Sequence, residues 1–249
     1  VMHDLIIRDA KIVDGTGADA YSGDIAIDGS TLTQVGGSAG PGKREITANG
    51  AMATPGWVDV HTHYDGQVTW DPLVSPSSWH GVTSIVMGNC GVGFAPVRPA
   101  DHNMLIELME GVEDIPGAAL HEGVPWNWES FPEFMDALEA MPRTIDIATQ
   151  VPHNPVRAYV MGEDAASERP STPEERAEMA AIVASGLRAG ALGFTTSRTK
   201  FHRTSTGEHV PSHFADLEEL RVICRSLKDH GDGVIGLLCD FDKPEDDIA

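Results

Sequence analysis

The sequence predicts an α/β protein: a parallel sheet with its helices outside, preceded by a small β unit. Three observations lead there. Short β-branched strands alternate with helical segments from Pro55 onward. No helical period appears before that point. Polar, potentially chemical residues gather where the strands end, which is where α/β folds place their sites.

Residues 1–54 read as strands and turns. Leu5-Ile6-Ile7 and Ile12-Val13 are apolar stretches on either side of Arg8-Asp9, and Asp14-Gly15-Thr16-Gly17 is a turn. Asp24 to Gly29 alternates with period two and ends in an Asp-Gly turn signal. Leu32 and Val35 mark the next strand, closed by Gly36-Gly37. A unit this short has little core of its own.

From Pro55 the expected strands are Trp57–Val60, Thr83–Met87, Ile145–Thr149, Ala191–Thr196 and Gly233–Leu238. Helical patterns lie between them, from Asn103 to Met109 and from Phe131 to Met141. The segment Ser171-Thr172-Pro173-Glu174-Glu175 has the features of a helix start: hydroxyl cap, Pro in the first turn, acids at the positive end. That helix should run to about Arg188 and stop at Gly190. A further one runs from Asp216 to Asp229 and stops at Gly231. Asp246-Asp247-Ile248-Ala249 reads as the start of another helix.

Of the 249 residues, 17 are Lys or Arg and 38 are Asp or Glu, a formal net charge of -21. Phosphate backbones repel such a chain, so nucleic acid is excluded as a general partner. No run is long and apolar enough for a bilayer, so no membrane association is expected. The odd count of three cysteines in a chain of this size argues against a disulfide framework. With no secretory leader visible, reduced thiols and a cytoplasmic location are expected.

The strongest chemical signal is His61-Thr62-His63 at the end of the first strand after Pro55. Side chains two apart share a face, so both rings can reach one cation. A lone His-x-His is weak, but Pro55-Gly56-Trp57-Val58-Asp59-Val60 supplies a buried strand to deliver it. Cys90 ends the second strand between Gly88 and Gly91, whose freedom lets the chain turn sharply and present the thiol. A thiolate ligates zinc and can bridge two ions.

Pro55 to His63 resembles the first strand of the amidohydrolase superfamily. Gly81-Val82-Thr83 through Met87-Gly88-Asn89-Cys90-Gly91-Val92 resembles its D-aminoacylase (N-acyl-D-amino-acid deacylase) branch, as does Glu122-Gly123-Val124-Pro125 with Trp128 and Phe131. The resemblance implies a (β/α)₈ TIM-like barrel with a small β-sandwich, residues 1–54 supplying part of the sandwich and 55–249 the N-terminal portion of the barrel. It implies one or two zinc ions at the barrel mouth, with His61, His63 and Cys90 as ligands. It also implies cleavage of the amide bond of N-acyl amino acids by a metal-activated water. The general-base Asp and two further His ligands are expected downstream of Ala249. About five of eight strands are accounted for, and a five-stranded piece leaves two open edges. The sequence therefore reads as part of a longer protein, with the remainder of that protein or a second copy as its partner.

Further residues take expected roles. Tyr64, where the branch often has Asp, is placed in the substrate pocket wall, and Asp65 is expected to hold one metal-ligating His by a hydrogen bond. Ser197 to Arg203 holds three of the 17 basic residues, which points to an anionic substrate group. Arg198 is the candidate to clamp a carboxylate in bidentate fashion. His153, at the end of the third strand, is a candidate substrate contact, with a structural histidine as the alternative. Cys224 and Cys239 read as core thiols. His80, His102, His121, His209, His213 and His230 have no constellation around them in the sequence. The alternative functions are a cyclic-amide hydrolase of the hydantoinase or dihydroorotase kind, against which Cys90 argues, and a truncated, non-catalytic relative.

Overall fold

The computed structural model describes residues 2–240. The helix start expected at Asp246–Ala249 lies outside the described residues. The described residues form two compact units that divide between Trp57 and Val58.

The first unit is a sheet of β1 (His3–Ile12), β2 (Tyr21–Asp28), β3 (Thr31–Val35), β4 (Gly42–Thr47) and β5 (Met52–Ala53), in the order β3-β2-β1-β4 with β5 also on β1. The two apolar stretches around Arg8-Asp9 are one strand. Its register with β2 shifts between Ile7 and Ala10, where Asp9 takes φ 52°. Arg8 turns this break into a junction, bonding Asp24 on β2 at 2.8 Å and Glu45 on β4 at 2.7 Å. Ile6, Ala10, Ile12 and Ala26 are buried beneath it.

The second unit alternates strand and helix. Its strands are β6 (Trp57–Asp59), β7 (Val82–Met87), β8 (Asp146–Thr149), β9 (Val151–Pro152), β10 (Gly193–Ser197) and β11 (Val234–Leu238). They form two three-stranded sheets, β6-β7-β8 and β9-β10-β11, and the pairs β7/β8, β9/β10 and β10/β11 are parallel. Gln150 alone separates β8 from β9. Its N–H donates to Met87 O at 3.1 Å, so hydrogen bonding to β7 continues through the break.

The helices are α1 (His102–Glu113), α2 (Gly117–Gly123), α3 (Phe131–Glu139), α4 (His153–Met161), α5 (Pro173–Arg188) and α6 (Leu217–His230). The capping chemistry read from sequence is present at α5, where Thr172 and Glu175 form a capping box, and Ser130 with Glu133 does the same for α3. Asp216 caps α6, and Gly231 ends it in the left-handed conformation at φ 99°. The expected helix over 103–109 extends to Glu113, since its last turn carries Glu110, Gly111 and Glu113 around the single apolar Val112, too little to extend the apolar period. Helix α4 gave no amphipathic signal because it buries polar residues, His153, Asn154 and Arg157 among them.

Those buried groups are paired. Glu219 on α6 bonds His153 Nε2 at 2.9 Å and pairs with the Arg157 guanidinium, while His153 Nδ1 meets Thr196 Oγ1 on β10 at 2.8 Å. His153, Arg157 and Glu219 are all fully buried. Burial alone would raise the Glu219 carboxyl; the His153 hydrogen bond and the His153 and Arg157 charges outweigh it and hold it at about 2. The network locks α4, β10 and α6 around the base of the site.

Candidate metal centre

The site begins where β6 ends. Thr62 N and Oγ1 both donate to Val86 O, at 3.0 and 2.9 Å, which extends the pairing with β7 and buries Thr62. Alternation places His61 and His63 together opposite it, their ring centroids 5.3 Å apart.

Strand β7 runs into a tight elbow. Gly88, Cys90 and Gly91 all have left-handed backbones, at φ 74°, 55° and 71°. A Cβ on Gly88 would stand 2.2 Å from Gln150 O, so no other residue fits there. Neighbouring elements hold the elbow. Asp65 Oδ1 accepts from Gly88 N at 2.8 Å, Asn89 Nδ2 donates to Thr62 O at 3.2 Å, and Gln150 Nε2 donates to Asn89 Oδ1 at 3.0 Å. Gly91 N donates to Thr195 Oγ1 at 3.1 Å, and Asn154 Nδ2 donates to Gly91 O at 2.7 Å. The non-glycine left-handed residue is thus over-determined, as a strained functional position must be.

The elbow sets Cys90 Sγ 3.4 Å from His61 Nε2. His61, His63 and Cys90 each offer a ligand atom within 4.8 Å of the others. A second group with the same spacing joins Cys90 to Glu113, at the end of α1, and His202, in the loop after β10. Glu113 Oε2 lies 3.3 Å from His63 Nε2.

The electrostatics fit a cation. Burial, then the charges of His61 and His202, holds His63 down at about 4, so its ring is neutral at pH 7, the ligating form. Burial pushes the Cys90 thiol up to about 12, with Glu113 and Asp65 adding to the rise, and Glu113 itself is raised to about 7 by burial and then Asp114. The His63–Glu113 contact is therefore no ion pair: between about pH 4 and 7 both partners are neutral. A dication bound among these groups would invert this balance by favouring the thiolate and carboxylate forms. At the site, the buried His63 Nδ1 and Asp65 Oδ2 have no hydrogen-bond partner among the described residues.

The remaining expected residues fall out differently. Asp65 is buried and its carboxyl is raised to about 7 by burial, against the Gly88 hydrogen bond; it holds the elbow's backbone and not a histidine ring. His153 is the buried structural histidine described above, with both ring nitrogens engaged inside the protein, which corrects the substrate-contact expectation. The Tyr64 hydroxyl is bonded to Ser77 Oγ at 2.9 Å. Arg198 is half-buried at the end of β10, its N–H donating to Leu238 O at 2.8 Å. Lys200 lies 3.7 Å from Asp240.

Three histidines without sequence constellations do have ring partners: His102 stacks on Trp126, and His209 stacks on His213, each at 3.9 Å between centroids. Glu113 was absent from the sequence reading altogether. Its signal was the pair Glu113-Asp114 at a helix C-terminus, where acids oppose the helix dipole.

Comparison with known proteins fits this geometry. A sequence profile described as "Amidohydrolase family" matches residues 44–249. An N-acyl-D-aspartate deacylase from Alcaligenes xylosoxydans xylosoxydans is 30% identical over 226 residues, covering 90% of this chain and 41% of that protein. A D-aminoacylase structure, described in terms of its binuclear metal centre with one-metal activation and second-metal attenuation, superposes with a TM-score of 0.76. It is 30% identical, covering 94% of this chain and 44% of that one. The N-acyl-D-glutamate deacylase of Bordetella bronchiseptica, complexed with zinc and a phosphonate inhibitor, gives a TM-score of 0.72 at 25% identity, covering 95% and 45%. The chain thus spans less than half the length of each of these three relatives.

Proposed function

The chain belongs to the amidohydrolase family, and from that membership we propose that the whole protein is a zinc-dependent hydrolase cleaving the amide bond of N-acyl-D-amino acids. The observation that carries this reading is the convergence of His61, His63 and Cys90 within 4.8 Å at the strand ends, a mixed imidazole and thiolate donor set suited to zinc. A D-aminoacylase and an N-acyl-D-aspartate deacylase match over 92% and 90% of the chain, which supports the substrate class. The fold reading that accompanies it is the N-terminal portion of a (β/α)₈ barrel, about five of eight strands, preceded by part of a β-sandwich.

His61, His63 and Cys90 would hold the ion, which when bound polarises a carbonyl and acidifies a water to a pKa of about 7. The chain's own residues prepare for this. The neutral His63 ring offers its lone pair at working pH. The Gly88–Gly91 elbow fixes the thiol before any ion arrives, so little ordering cost remains at binding. Asp65 buries a carboxyl under the elbow and holds Gly88 in place. Arg198 is assigned to the substrate carboxylate; its planar fork suits a carboxylate, and its backbone is tied to β11.

The test is hydrolysis of N-acetyl-D-amino acids and their L enantiomers by the full-length protein, before and after chelation and zinc return. Activity on the D series that chelation abolishes and zinc restores is expected. A fully zinc-loaded protein inactive on every N-acyl amino acid contradicts the reading.

A further inference from the structure

The thiol of the metal centre and the arginine assigned to the substrate carboxylate stand on different elements, Cys90 on the elbow after β7 and Arg198 just past β10. We propose that Asn154 is a positioning residue that fixes the spacing between them, and that this spacing selects N-acyl derivatives of α-amino acids over those of β-amino acids. The inference rests on the proposed function above and adds a specificity determinant to it.

Three hydrogen bonds join the two places. Asn154 Nδ2 donates to Gly91 O, next to Cys90, at 2.7 Å. Asn154 Oδ1 accepts from Ser212 N at 2.7 Å, and Ser212 Oγ donates to Ser197 O, next to Arg198, at 2.6 Å. The carboxamide can face only one way, since the flipped group would set oxygen against oxygen and N–H against N–H. Asn154, Ser197 and Ser212 are fully buried, so no solvent competes for these bonds.

The carboxamide does not serve its own helix. Asn at a helix start ordinarily caps that helix, but α4 has no side-chain cap, and Asn154 bonds two segments outside it. Arg198 opens the loop after β10 and Ser212 closes it. Ser212 therefore pins the far end of the loop to its near end, and Asn154 pins that base to the elbow. The elbow also packs on β10 directly: a Cβ on Gly91 would stand 3.1 Å from Thr196 Cα and 3.3 Å from Ser197 N. Asp65 at Gly88 and Thr195 at Gly91 hold the elbow independently of Asn154. Removing Asn154 thus leaves the thiol in place and frees the loop base. One carbon separates the amide nitrogen from the carboxylate in an α-amino acid derivative, and two do in a β-amino acid derivative. A rigid spacing distinguishes the two; a relaxed one accepts both.

The test uses Asn154→Ala and Ser212→Ala in the full-length protein. For each, kcat/KM is measured on the N-acetyl derivatives of the preferred D-α-amino acid and of the isomeric β-amino acid, and zinc content by inductively coupled plasma mass spectrometry. The ratio of the two kcat/KM values does not depend on the fraction of active protein, so a loss of stability alone leaves it unmoved. The parent is expected to prefer the α isomer. Asn154→Ala should keep its zinc and lower that preference about 10-fold or more, chiefly through a slower reaction of the α isomer. Ser212→Ala, which loosens only the loop base, should lower it about 2- to 10-fold, and it decides alone should Asn154→Ala fail to fold. Variants that lose rate equally on both isomers overturn the proposal, as does a parent that does not distinguish them or a folded Asn154→Ala protein that has lost its zinc. A full-length protein that hydrolyses no N-acyl amino acid contradicts the proposed function itself, and the inference falls with it.

Discussion

Replacing Glu219 by Gln removes the one negative charge from a buried cluster that also contains Arg157 and His153. All three are inaccessible to solvent, so the guanidinium is left with no carboxylate in a medium that screens poorly. The cost can be worked two ways. The Glu219 carboxyl is held at about 2 against a usual 4.5, which corresponds to about 3 kcal/mol favouring its ionised form in the native state. Breaking one side of a buried ion pair costs about 3–5 kcal/mol elsewhere. A loss of about 3 kcal/mol is therefore expected for Glu219→Gln. The pH dependence has a definite sign: a depressed carboxyl stabilises fully above about pH 4.5, and the contribution is lost as the pH falls from there through about 2. Urea unfolding followed by the fluorescence of the five tryptophans, at several pH values, measures both effects. The variant should be less stable at pH 7 and should lose this segment of the acid-dependent fall. A variant within about 0.5 kcal/mol of the parent at pH 7, or one with an unaltered acid dependence, refutes the reasoning.

Two further outcomes follow from the elbow. Gly88→Ala forces a Cβ to 2.2 Å from Gln150 O on a left-handed backbone, so it should destabilise by more than about 1 kcal/mol and release zinc. Thermal melts with metal analysis check this, and a variant that melts and binds like the parent counts against the elbow's role. In metal-stripped protein the Cys90 thiol, raised to about 12, should alkylate with iodoacetamide at pH 8 slower than an ordinary thiol by about three orders of magnitude in thiolate fraction. Peptide mapping reads that rate, and labelling as fast as a free thiol contradicts the buried, unassisted environment.

How far the sequence reached depends on the kind of signal each element left. Strand β7 was legible because it is a short apolar run between Gly81 and Gly88, β10 and β11 because aromatic, β-branched and aliphatic residues follow Gly193 and Gly233, and α5 because its caps are written in Thr172, Pro173 and Glu175. The His61/His63/Cys90 grouping was legible because strand-end geometry is local: two residues along a strand and one glycine-flanked turn suffice to place the donors. Helix α4 was hidden because its buried face is polar, and periodicity detects only apolar faces. The role of His153 needed Glu219, 66 residues away, and Thr196 on another strand. Asp65 was given the right neighbourhood and the wrong partner, since a carboxylate two residues from a histidine can equally well hold a backbone N–H across the turn. Glu113 and His202 meet only because Gly111 lets a loop from beyond β10 lie on α1, a tertiary event with no local trace.

The most direct test of the central claim, that His61, His63 and Cys90 hold the metal, is X-ray absorption at the zinc edge on the full-length protein and its Cys90→Ser variant. The account predicts a sulfur shell at about 2.3 Å and nitrogen ligands at about 2.0–2.1 Å, with imidazole scattering beyond them, and loss of the sulfur shell in the variant. A spectrum with only nitrogen and oxygen ligands, or a sulfur shell that survives Cys90→Ser, would contradict it.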